Sequence, residues 1–109
     1  MKKILLAAAL TISTASNASS VYQQYCDSMY DLAKIIMDAR QNGITEEQSR
    51  KIINDGKNDD LKSVANTFVD LAYDEPVMKY DDLKKAATED FAEMAKYACE
   101  VSMEKQGLK

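Results

Sequence analysis

Few residues in this chain are of a type that does chemistry. Histidine is absent, which removes Ser–His and Cys–His nucleophile pairs and every His-containing metal site. Carboxylates are plentiful, in the pairs Asp59 with Asp60, Asp74 with Glu75, Asp81 with Asp82, and Glu89 with Asp90. Each pair is adjacent in sequence, and adjacent helical residues do not face one another, so they read as caps and solvated faces rather than as an acid and a base. A glycosidase would also need a deep cleft, which so short a chain can hardly enclose. The segment Asn54 to Asp60 is rich in oxygen donors, yet Gly56 is misplaced for a calcium loop and no glutamate closes it. No catalysis, no metal and no cofactor are therefore expected.

Cys26 and Cys99 are too far apart in sequence for a redox pair, which wants its cysteines close together with one thiolate stabilised by a helix start. In an oxidising compartment they read as one structural disulfide. Closing a loop of 73 positions is worth roughly 4 kcal/mol by the chain-entropy relation, a large share of a small domain's stability. Arg40 lies one turn after Ile36, at the edge of an apolar stripe. Its methylenes can cover the core while its guanidinium meets a carboxylate of a neighbouring helix, with Asp70 or Asp74 as the expected partner. Gln41 beside it can add a hydrogen bond to the turn. Val77, Met78 and Tyr80 form an apolar segment after Pro76 where the other links are polar, which makes them the candidate partner-binding residues.

The elements that would position these residues follow from length and periodicity. The chain has 109 residues, is 46% hydrophobic and carries a formal charge of −4, which fits one small domain. Residues 1–18 have a basic start at Lys2 and Lys3, an apolar stretch and a Ser16-Asn17-Ala18 end, the order of a secretory signal. Cleavage after Ala18 would leave a single domain of residues 19–109 without a membrane span, and would remove two lysines, moving the charge to −6. An acidic surface with scattered lysines disfavours nucleic acid and anionic membrane. From Tyr22, apolar residues at Tyr25, Met29, Leu32 and Ile36 predict a first helix that Gly43 stops. Thr45 with Gln48 forms a capping box for a short second helix over 46–55. Asn58 or Asp59 caps a third helix, whose expected stripe is Leu61, Val64, Ala65, Phe68, Leu71 and Ala72, and which stops before Pro76. A fourth helix runs from about Asp82 to Lys105, with Leu83, Ala87, Phe91, Met94, Ala98 and Val101 as its stripe. Phe68 and Phe91 are the expected core anchors. The sum is an all-α fold, a small four-helix bundle of two long antiparallel helices and two shorter ones, stapled by one disulfide.

Ile36-Met37-x-x-Arg40-Gln41-x-Gly43, then Ala72-Tyr73-x-x-Pro76, Phe91 and Cys99, resemble a group of small exported proteins found among bacteriophage and prophage genes. That resemblance covers most of residues 19–109 and implies a phage-related origin rather than a mechanism. In size, export and two-cysteine layout the chain is also similar to acid-activated periplasmic chaperones. The expected function is thus a periplasmic or secreted module, monomeric or homodimeric, that binds a protein partner in the cell envelope. A phage origin would make it an inhibitor of a cell-wall hydrolase or a superinfection-exclusion factor. The alternative is a chaperone opened by acid, since protonating many carboxylates removes native pairs and exposes the core.

Overall fold

A computed structural model describes the backbone of residues 2–107 and the side chains of residues 21 and 23–107. The side chains of the expected leader and of its cleavage point lie outside the described residues. Four helices follow one another: α1 (Lys2–Gln41), α2 (Glu46–Asn54), α3 (Asp59–Asp74) and α4 (Asp81–Lys105), with no strand among the described residues. Among the described residues no helix is long and apolar enough to cross a membrane.

Local chemistry accounts for the boundaries. Gly43 adopts φ +87°, a left-handed conformation that glycine reaches without the Cβ clash of other residues, and it turns the chain out of α1. At the start of α2 the capping box forms as expected. The Gln48 N–H donates to Thr45 Oγ1 at 3.1 Å and the Thr45 N–H to Gln48 Oε1 at 3.0 Å, satisfying two donors that a helix start otherwise leaves orphaned. Asn58 caps α3 by accepting from the Leu61 N–H at 3.2 Å. Asp81 and Asp82 open α4 where the helix dipole favours negative charge.

The disulfide is present between Cys26 and Cys99, with a Cα–Cα separation of 5.5 Å. Next to it Lys96 Nζ meets Asp27 Oδ1 at 3.0 Å, and at the other end Lys34 and Asp38 lie across from Lys84 and Thr88. α1 and α4 therefore run antiparallel and side by side. α3 also packs on α1, and α2 rests on α3 and the end of α1. The central core is Ile36, Met37, Ala65, Val69 and Ala72, with Leu32, Ile53, Phe68, Tyr73 and Phe91 packed partly buried around it. Along the α1–α4 seam the buried residues are Cys26, Met29, Ala33, Thr88 and Ala92.

Two expected faces are corrected. On α3 the buried positions are Ala65, Val69 and Ala72, while Leu61 and Leu71 are exposed. On α4 they are Thr88 and Ala92, while Leu83 is 47% and Met94 71% exposed. Each helix is turned by about one position from its large-residue stripe, so that small side chains face α1. Close helix approach explains the choice: with Thr88 and Ala92 as the inward residues of α4, its backbone comes near enough to α1 for a disulfide, whereas Leu, Phe or Met at those positions would hold it away. Phe68 and Phe91 are accordingly half-buried rather than enclosed, and they meet edge to face with centroids 6.3 Å apart.

Candidate functional site

Two features stand out: a polar joint that fixes the α3–α4 link, and an apolar groove beside it. The joint grows from the last two residues of α1. Arg40 stacks over the Tyr73 ring at 5.0 Å from its centroid and donates from Nε and Nη2 to the Glu75 carbonyl at 3.1 and 3.0 Å. The ion pair expected with Asp70 or Asp74 is not what forms. Asp70 is held instead by Arg50 of α2, and Arg40 reaches a carbonyl that α3 leaves unpaired at its end. Gln41, expected to add a hydrogen bond to the turn, is only 1% exposed. Its Nε2 donates to the Pro76 carbonyl at 3.0 Å and its Oε1 accepts from the Met78 N–H at 2.8 Å, so the amide engages the link as a second backbone strand would.

Tyr73 extends the joint to α2. Its hydroxyl donates to the Ile44 carbonyl at 2.7 Å and lies 2.9 Å from Ser49 Oγ. With the phenolic hydrogen committed to Ile44, Ser49 is the donor in the second contact. Arg40, Gln41, Tyr73 and Pro76, which carry much of the resemblance noted above, thus converge on one structural joint. Their chemistry is hydrogen bonding between elements, and no reacting group stands among them. Arg50 ties α2 to α3 in parallel, through Asp70 and the Asn66 side chain, and pairs with Glu46 within its own helix. Its guanidinium is held above its ordinary pKa first by the hydrogen bond to Asp70 and then by that to Glu46. Sequence reading missed Arg50, although Glu46 four residues earlier was a visible signal for an intrahelical pair.

The candidate residues of the link are placed unequally. Val77 is 45% and Tyr80 60% exposed, while Met78 is half-buried and tied through its N–H to Gln41. Tyr80 precedes α4 without capping it through its side chain, so its ring is free of structural duty there.

The groove was not anticipated. α3 and α4 each pack chiefly on α1, and the Phe68–Phe91 pair bridges the space between them. Above that pair lies a hollow of about 330 Å³ whose walls include Leu71, Met94, Ala95 and Ala98, with Asp74 and Glu75 at its end. A second hollow of about 360 Å³ shares Phe68, Ala95 and Ala98 with the first and continues past Val64 toward Met103. Leu71 and Met94, turned away from α1, line this groove, whereas the exposed Leu61 and Leu83 line neither hollow. Among the described residues no group of three or more Asp, Glu or Cys side chains is arranged to hold a metal ion.

Comparison with the models of known protein families, with curated proteins and with solved structures gives no match.

Proposed function

We propose that this chain is an exported, non-catalytic module that binds a protein partner in the cell envelope, and that its docking surface is the α3–α4 groove. One observation carries the reading. Leu71, 52% exposed, and Met94, 71% exposed, stand over a floor of two phenylalanines, on helices whose small faces already serve the core. Covering such side chains is worth about 1 to 2 kcal/mol each, which favours a partner that lies over them. The scaffold suits the task. A disulfide fixes the helices, and Arg40 and Gln41 hold the adjoining link, so little order has to be imposed when a partner arrives. Val77 and Tyr80 are exposed in the link that follows Glu75 and line neither hollow.

The leader-like start supports export, and a phage-related origin would make the partner a cell-wall hydrolase or an envelope component used by competing phage. The chaperone alternative draws less support. Among the described residues, acid would break the interhelix pairs of Arg50 with Asp70 and of Lys96 with Asp27. It would leave intact the disulfide and the neutral contacts of Gln41 and Tyr73.

Affinity capture from an envelope extract at neutral pH tests the reading. The oxidised protein should retain a discrete partner, and Leu71→Ser with Met94→Ser should release it without altering the melting temperature. Retention by the double variant, or broad capture that begins only near pH 2 to 3, where carboxylates protonate, would contradict it. The mass of the exported chain should begin at Ser19.

A further inference from the structure

We infer that the occupant of the α3–α4 groove is a cationic amphipathic helix of the partner protein, laid along Phe68 and Phe91 with its basic residues toward Asp74 and Glu75; this rests on the groove reading above. The shape of the groove argues for a helix. Both of its walls are helices, and from Val64 to Glu75 the α3 wall is about 16 Å long at 1.5 Å per residue, three turns of an opposing helix. An apolar edge with anchors at i, i+3 or i+4, and i+7 would seat Leu, Ile or Met side chains between Leu71 and Met94.

Charge decides the chemistry of the flank. Asp74 and Glu75 close one end of the groove, and no Lys or Arg shares the lining there. The last turn of α3 contains no basic residue, so these carboxylates sit at the negative end of the helix dipole, where they are locally unfavourable. Arg40 donates to the Glu75 backbone carbonyl from the α1 side, but neither carboxylate forms an ion pair among the described residues. A lysine or arginine brought by a partner would relieve both carboxylates and add the attraction that steers a charged ligand into an acidic cleft. A second copy of the exported chain, at −6 once Lys2 and Lys3 are removed, brings net repulsion instead.

Three synthetic fluorescent peptides test the inference, each with the same Leu and Ile edge on a helical repeat and with lysine, glutamine or glutamate on the flanks. Anisotropy with the disulfide-bonded full chain should show the lysine peptide binding about ten-fold or more tighter than the glutamate peptide at low salt, with the gap narrowing as salt screens it. Asp74→Asn with Glu75→Gln should erase most of that preference while leaving the glutamine peptide unchanged. Leu71→Ser with Met94→Ser should weaken all three, with circular dichroism confirming an unaltered fold. Equal affinity for the lysine and glutamate peptides, no binding of any, or a dimer in sedimentation velocity that the Leu71 and Met94 substitutions dissolve would each overturn the inference. Envelope capture that still depends on Leu71 and Met94 would, in the first two cases, leave the docking surface standing and remove only its proposed occupant.

Discussion

Replacing Gln41 tests whether the joint holds the α3–α4 link as described. The side chain is buried and makes two hydrogen bonds to backbone atoms of the link, to the Pro76 carbonyl at 3.0 Å and from the Met78 N–H at 2.8 Å. Gln41→Ala removes both and leaves a partly buried donor and acceptor unpaired. At about 1 kcal/mol for each bond, with a further contribution from lost packing against Met37, the cost should be about 2 to 3 kcal/mol. Gln41→Met fills much of the same volume but cannot bond, so it should recover the packing part and retain a loss of about 2 kcal/mol. Urea unfolding of the oxidised protein at unchanged slope reads these differences. Hydrogen exchange at the Met78 amide gives the local readout, since its protection should collapse in both variants. Losses below about 0.5 kcal/mol in both, a size typical of surface sites, with Met78 still protected, would show that the link is held by something other than this amide.

Three further outcomes follow from the same geometry. Cys99→Ala should destabilise the chain by about 2 to 5 kcal/mol, the range for a native bridge in a small secreted domain, read by urea unfolding against the oxidised protein. Phe68→Ala and Phe91→Ala should each cost about 2 to 3 kcal/mol, below a fully enclosed phenylalanine, and a double-mutant cycle should return a coupling of about 0.5 to 1.5 kcal/mol for the edge-to-face pair. Lys96 is held above its ordinary pKa of 10.5, first by its hydrogen bond to Asp27 and then by Coulombic attraction to the same carboxylate. A pKa raised on folding contributes stability that is complete below the unfolded value and is lost as pH rises through the folded one. Lys96→Met should therefore remove a small alkaline decline present in the native protein above pH 10.5, seen by comparing melting temperatures across that range.

Capping chemistry made the element boundaries other than the start of α1 legible, because Thr45 with Gln48, Asn58, Gly43 and Pro76 each act within a few residues of where they stand, whereas α1 begins at Lys2 rather than near Tyr22. The disulfide and the antiparallel long helices were equally readable, since two cysteines far apart in one small helical domain leave little other choice. Which face of α3 and α4 turns inward is legible only in part: Ala65 and Ala72 of the expected α3 stripe are buried, whereas Leu61, Leu71, Leu83 and Met94 are exposed. Hydrophobic periodicity ranks positions by apolar size, so it selected Phe68, Leu71, Phe91 and Met94, whereas close packing on α1 requires small residues. Cys99 held the missing signal. A cysteine bonded to α1 must face α1, and counting back along the helix from it passes through Ala95, Ala92 and Thr88. The groove remained hidden for the same reason, because its lining was assigned to the core. Arg40 was located at its edge position but given a carboxylate, since nothing local reveals that the carbonyl ending α3 arrives there first. The burial of Gln41 depends on the α3–α4 link folding back over the end of α1, a contact across 35 or more positions that no local pattern encodes.

Site-specific photocrosslinking in cells that express the full chain addresses the docking surface most directly. A photoreactive residue at Met94 or Leu71 should give one discrete adduct of the same partner. The same residue at Ile52, which is 72% exposed on α2 and lies outside the groove, should give none. Adducts that form equally at all three positions, or at Ile52 alone, would contradict the assignment of partner binding to the groove between α3 and α4.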